Sequence, residues 1–393
     1  MKRYTPRMSI VVLWTIMSFA AFPASGRTDD FKTTPSLNHG KKWRIAYYES
    51  GPYADYHQTL KVVVQGLMNL GWIEPKPVPE FPDPDDNRPL WRWLNQSAKS
   101  DYLRFLEDGY WSANWKDDRR SANREACINR LKRGDVDLII AMGTRAGKDL
   151  ANDRHAVPTF VMSSTDPVAS GIIRGVKDSG YDHVIAKCEP DRYIRQIHLC
   201  YDIFRFNVVG VVNDDLDPDG RVFSHIDRLK RVGAERGFRV VSCHAPDRDN
   251  SLETVALAYR KCVRSLAPEI DLFYLSHHRG ANPEFLYETL KPLYANGVPA
   301  WSSRGSILVK AGAVMSISRE DFSFLAPFYS EAIAKILNGA KPRELDQRVK
   351  EHLELAVNLE AARLTGYTVP PNVLKIANTV FHRIETPSGE TGN

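Results

Sequence analysis

The chain has 393 residues, of which 43% are hydrophobic and 26% charged; this excludes a disordered polymer or a multi-span membrane protein and predicts roughly two domains. Formal charge is +5, from 53 Lys and Arg against 48 Asp and Glu, and without a dense basic stripe this balance argues against nucleic acid as a partner. Five cysteines, an odd number with no Cys-x-x-Cys spacing, exclude a disulfide-dense scaffold and leave at least one thiol free in a monomer.

At the start, Lys2, Arg3 and Arg7 precede an uncharged run over residues 8–26 with an apolar centre. Pro23 breaks that run, and Ala24, Ser25 and Gly26 supply the small residues that a signal peptidase reads. Residues 1–26 therefore read as a secretory signal peptide, with a retained anchor as the alternative, and the expected location is periplasmic.

Residues 43–48 form the first expected strand. Leu60, Val63, Val64, Leu67 and Met68 then recur at helical spacing up to Gly71. A proline-rich stretch follows, and the segment up to Trp115 is dense in aromatic residues; it reads as a loop and an amphipathic helix carrying Leu94, Tyr102, Phe105 and Leu106. Further strands are expected at 137–142, 157–162, 207–212, 238–242 and 270–276, alternating with helices. That alternation predicts an α/β protein with parallel sheets covered on both faces. Ligands in such sheets bind beyond the carboxyl ends of the strands, which directs attention to the loops after Tyr48, Met142, Met162, Val212 and Ser276.

Most motifs that promise chemistry fail on spacing. Residues 143–148 approach a phosphate loop but are one residue short, and Asp149 stands where Ser or Thr is needed. Thr144 remains a hydroxyl donor or helix cap. Asp215, Asp217, Asp219 and Gly220 match half of a calcium loop, but Ile226 stands where its closing Glu belongs, so a solvated acidic loop is expected. His277 and His278 follow a strand without a third metal ligand and read as a pocket wall. Ser164 with His277 sketches a hydrolase, but no Gly-x-Ser-x-Gly elbow supports it. Each cysteine reads as a structural thiol; one disulfide is possible, its pairing open.

Several stretches, in order, resemble the substrate-binding proteins of ABC transporters, in the branch that includes tryptophan and other aromatic amino-acid receptors. They are Arg44-Ile45-Ala46, Leu70-Gly71-Trp72, residues 137–144, Thr165-Asp166-Pro167-Val168, residues 208–213, Gly297-Val298-Pro299-Ala300, Ala311-Gly312-Ala313, and residues 357–371. The order holds over 42–384 except for the Pro/Trp-rich segment 74–115, which reads as an insertion whose Tyr110, Trp111 or Trp115 reshape the cleft rim.

The resemblance implies a type I periplasmic-binding fold of two lobes joined by hinge crossovers. The first lobe would hold 42–182 plus 311–340, the second 183–310 plus 341–386, with 387–393 a tail. Carried over by position, the ligand-binding residues would be Ser50, Tyr53, Thr144, Ser163, Ser164 and Asp166 from one lobe. Asn213, His277 and Ser302 would come from the other. Asp166 or Glu49 would take an amine. The implied protein is a monomeric solute receptor without cofactor, metal or catalysis, delivering an amino-acid-like small molecule to an ABC permease. The alternatives are a periplasmic sensor input for a kinase or an exported hydrolase.

Overall fold

The computed structural model describes residues 31–83, 85–247, 251–317, 322–349 and 353–385. The expected signal segment 1–26 and tail 387–393 lie outside them. Two α/β lobes carry one sheet each. The first sheet is built from β1 (Trp43–Glu49), β2 (Leu103–Ser112), β3 (Leu138–Met142), β4 (Thr159–Met162) and β5 (Val184–Ala186), in the order β2-β1-β3-β4-β5. All its pairings are parallel. Alternate residues of β1 feed opposite cores: Ile45 and Tyr47 pack with the α1 side, while Ala46 and Tyr48 pack on the other face. Burial on both faces is what turns the apolar runs of the sequence into parallel strands.

The second sheet holds β6 (Val208–Asn213), β7 (Arg239–His244), β8 (Leu272–Leu275), β9 (Ala300–Ser302), β10 (Met315–Ile317), β11 (Leu355–Asn358) and β12 (Thr379–Phe381). Their order is β12-β11-β10-β9-β8-β6-β7, parallel except between β10 and β11. Separate cores cover its two faces, one around Val209, Val211 and Tyr274, the other around Val212, Phe273 and Leu275.

Helix α1 (Ala54–Asn69) buries Leu60, Val63, Val64 and Leu67, as their spacing predicts. It packs on the helix Ala326–Leu337, which returns to the first lobe late in the chain. The two backbones approach closely at Gly66, where a Cβ would lie 2.7 Å from the Ala326 carbonyl oxygen; only glycine fits there.

The chain crosses between lobes after β5, after β10 and again before β11. Three of the expected lobe limits differ: residues 341–347 stay with the first lobe, where Gln347 Nε2 donates to the Gly175 and Val176 carbonyls, and two more differ from the sheets. Val184–Ala186 belongs to the first sheet through its pairing with β4, and Met315–Ile317 belongs to the second through β9. The segment 74–115 also differs from its reading as a loop and one amphipathic helix. Its helix α2 (Arg88–Gln96) holds Leu94, but Phe105 and Leu106 lie in β2, the edge strand paired with β1. Alternate burial of Leu103 and Phe105, with Phe105 opposite Ile45, is a period of two that a sparse helical pattern had masked. No helix of the described residues is long and apolar enough to cross a membrane.

Candidate functional site

A cleft of about 1550 Å³ opens between the lobes at the carboxyl ends of the strands. Of the positions expected from sequence, Tyr53, Thr144, Ser163, Ser164 and His277 line it, the last from the second lobe. The turn that delivers Thr144 needs glycine. Gly143 has φ +91°, and a Cβ there would sit 2.0 Å from the Tyr56 hydroxyl. Helix α3 (Asp117–Lys132) precedes β3, and α4 (Thr144–Leu150) starts directly after Gly143. Gly143 is the cap residue, so Thr144 is not; its hydroxyl instead meets Ser164 Oγ at 3.2 Å. Ser163 adopts φ 51°, left-handed for a residue with a side chain, and turns the chain sharply from β4 into the cleft loop.

The remaining expected positions do not line the cleft. Ser50 is buried, and its carbonyl accepts the Trp115 N–H at 2.8 Å. Asn213 is buried and bonds to Asp215. Ser302 Oγ accepts the Arg304 N–H at 3.1 Å inside the second lobe. Asp166 pairs with Arg228 and accepts the N–H groups of Val168 and Ala169. Glu49, the other amine candidate, is buried with the Tyr47 hydroxyl at 2.7 Å, the Tyr110 hydroxyl at 2.8 Å and Asn87 Nδ2 at 3.1 Å. Burial pushes its carboxyl up, against the lowering effect of those bonds. A strand end sets where a residue stands, but the pleat sets which way it points.

Trp115 alone of the three aromatic residues proposed for the rim lines the cleft. Tyr110 is engaged with Glu49, and Trp111 packs beneath Arg130. Trp115 forms a wall with Tyr56 and Tyr53, with centroids 6.4 and 5.3 Å apart along the chain of rings. Arg145 lies over Trp115 at 5.7 Å, and Arg304 of the second lobe lies over Tyr53 at 5.6 Å.

His277 Nε2 meets the Tyr193 hydroxyl at 3.1 Å, and Tyr193 stacks on His225 with centroids 3.7 Å apart. Burial, then the nearby Arg304, Arg192 and Lys187, holds His277 well below the usual histidine range, so its ring is neutral. Ser164 bonds to Thr144 and His277 to Tyr193; no hydrogen bond joins Ser164 to His277. At the first crossover, Glu189 takes Lys187 Nζ at 2.6 Å and Arg192 Nη1 at 2.7 Å.

The acidic loop after β6 is solvated only in part, at Asp215 and Leu216. Asp217 and Asp219 are buried and reach across to α4, pairing with Arg145 at 2.9 Å and Lys148 at 3.0 Å. The half-motif for calcium thus supplies anions to the opposite lobe. Cys243 and Cys262 form a disulfide between β7 and the helix Leu252–Leu266, while Cys127, Cys188 and Cys200 are buried thiols. Sequence reasoning missed Arg145, Asp247 and Arg304. Their one local signal is that Arg145 and Arg304 follow the ends of β3 and β9, the strand ends that frame the cleft.

Two parallel-sheet lobes with a ligand-sized cleft between them define a type I periplasmic-binding architecture. The family model described as ABC transporter substrate binding protein matches residues 110–381, and the chain belongs to that family. Among solved structures, a conserved domain protein from Vibrio cholerae is 18% identical, with TM-score 0.63 over 86% of this chain and 100% of that one. An ABC domain from Streptococcus pneumoniae in complex with L-Trp is 17% identical, with TM-score 0.60 and coverage of 86% and 100%. The ligand-free, open form of a substrate binding protein with adhesive properties from Clostridium difficile is also 17% identical, with TM-score 0.57 and coverage of 86% and 99%. At these identities the likeness is one of fold. No curated protein sequence matches the chain. Membership of the family brings a small-molecule ligand and an ABC permease as partner.

Proposed function

We propose that the protein is exported, captures an amino-acid-like solute between its lobes as a monomer, and delivers it unchanged to the permease of an ABC importer. The observation that carries this reading is the cleft itself: Tyr53, Trp115 and Ser164 of one lobe face His277 and Arg304 of the other. A solute there touches both lobes, and its binding free energy is available to hold them together. Aromatic faces beside a few convergent polar groups suit a small organic ligand. The neighbour solved with L-Trp makes amino acids the first probes.

Release of the solute unchanged is supported by the hydrogen bonds that occupy Ser164 and His277 with other partners. Nucleophilic catalysis needs the two within reach of each other. Export is supported by the Cys243–Cys262 disulfide, a bond that persists in oxidising compartments, together with the signal-like residues 1–26.

The test is a thermal-shift screen of residues 27–393 against amino acids, nucleosides, sugars and small carboxylates. A solute at about 100 times its Kd adds about 2.7 kcal/mol. The expected result is a rise in Tm with one class and a stoichiometry of one by calorimetry, with the solute recovered intact. No shift with any class, or conversion of the solute, overturns the reading.

A further inference from the structure

Most strong charges around the cleft already have protein partners. Arg145 pairs with Asp217, and Glu189 is held between Lys187 and Arg192. Arg304 and Asp247, which line the same cleft, are different, as are Asp55 and Asp85 at its first-lobe side; of these, only Arg304 and Asp247 come from the second lobe. Arg304 stands just after β9, and its Nη1 donates to the Ala281 carbonyl at 3.1 Å. None of the described carboxylates pairs with its guanidinium, and the rest of its donor fork has no protein acceptor among the described residues. A guanidinium carries five N–H donors in a rigid plane shaped for a carboxylate. Burial opposes this charge, while Tyr53, Asp55 and Asp247 more than offset that effect and raise its pKa.

Asp247 is the complement. Its backbone N–H is anchored on Asp214 Oδ2 at 3.0 Å, and its Oδ1 accepts the Arg279 N–H at 2.9 Å. His278 Nδ1 lies 3.8 Å from Oδ1, and Arg279 Nη1 donates to the Asp247 carbonyl at 3.0 Å, but no ion pair joins a described lysine or arginine to the Asp247 carboxylate. Burial pushes its carboxyl up, against the lowering effect of His278, the Arg279 N–H and the charges of Arg279 and Arg145. Buried charges are costly unless paired. Two opposite charges therefore face one cleft, close enough to influence each other and yet not joined as an ion pair.

We infer that Arg304 and Asp247 are the seats for the two ends of a bipolar solute, its carboxylate on the Arg304 fork beside Tyr53 and its ammonium group on Asp247. This rests on the solute-receptor reading and assigns charge recognition to the second lobe, where the sequence pointed to polar groups of both lobes with Asp166 or Glu49 for the amine. Because Arg304 lies over the Tyr53 ring of the opposite lobe, a carboxylate on its fork also sits at the lobe-to-lobe contact. Specificity follows from what is left unpaired: a ligand lacking either charge leaves one half-buried ion without its partner.

The test measures binding by calorimetry to L-tryptophan, L-leucine and L-glutamine, each with its amide and its deaminated acid, and to a sugar and nucleoside set. The wild-type protein should bind at least one amino acid and lose about tenfold to hundredfold in affinity for both of its analogues, the span of a lost charged hydrogen bond. Arg304→Gln should weaken the amino acid by a similar factor and leave the amide unchanged. Asp247→Asn should do the same with the deaminated acid. Equal binding of all three forms to wild-type protein, or binding confined to sugars or nucleosides, overturns this inference and leaves the receptor reading standing. Absence of binding by every probe overturns both. The analogue series on wild-type protein decides the matter even if a variant fails to fold.

Discussion

Arg145 on the first lobe and Asp217 on the second lie 2.9 Å apart, with only 9% and 3% of their side chains exposed. They are 72 residues apart in sequence. With Lys148–Asp219 and Arg228–Asp166 beside them, they join α4 and the cleft loops of one lobe to the other. A buried pair contributes little net stability, because desolvating both ions offsets their attraction, but removing one partner strands the other. Asp217→Asn should therefore destabilise this lobe-to-lobe contact by about 3 kcal/mol. X-ray scattering should show a larger radius of gyration for the variant than for the wild type at low salt. An unchanged radius and Tm would mean that the lobes are held by other contacts.

Glu189 predicts an acid limit. Burial alone would raise its pKa, but Arg192 and Lys187 outweigh burial and take it from 4.5 to about 2. A depressed carboxylate means that the unfolded chain binds the proton more readily. The stabilisation is therefore present above about 4.5 and is lost as pH falls towards about 2. Denaturation at graded pH should show this loss in wild-type protein and a flatter profile in Glu189→Gln. Parallel profiles would remove Glu189 as the source.

The cysteines make a prediction about redox state. The Cys243–Cys262 bridge spans 19 residues and should contribute about 3 kcal/mol by the chain-entropy account. Reduction, or the double serine variant, should lower Tm by several degrees. Ellman's reagent should find no accessible thiol in the native protein, because Cys127, Cys188 and Cys200 are buried. After unfolding without reductant three thiols should react, and after reduction all five. Five reactive thiols before reduction would show that the bridge does not form.

The amino-acid order by itself determined the local elements and, through them, the architecture. The apolar run at Leu138–Met142 and the helical spacing of Leu60, Val63, Val64 and Leu67 are near-neighbour patterns, and they match β3 and α1. Strand-helix alternation then left few topologies open, and the ordered stretches over 42–384 singled out the family. Where two periods competed, as at Phe105 and Leu106, the choice depended on pairing with Ile45 of another strand. Side-chain direction was equally hidden: Glu49, Ser50 and Asn213 stand near the cleft in sequence logic but are buried away from its lining. Only the tertiary structure decided the partners, among them Arg145 with Asp217, Arg304 over Tyr53 and Cys243 with Cys262. The physical reason is distance along the chain. Propensity and periodicity act over a few residues, whereas charge pairing, disulfide bonding and the lining of a cleft are set by whichever strand ends the two sheets bring face to face.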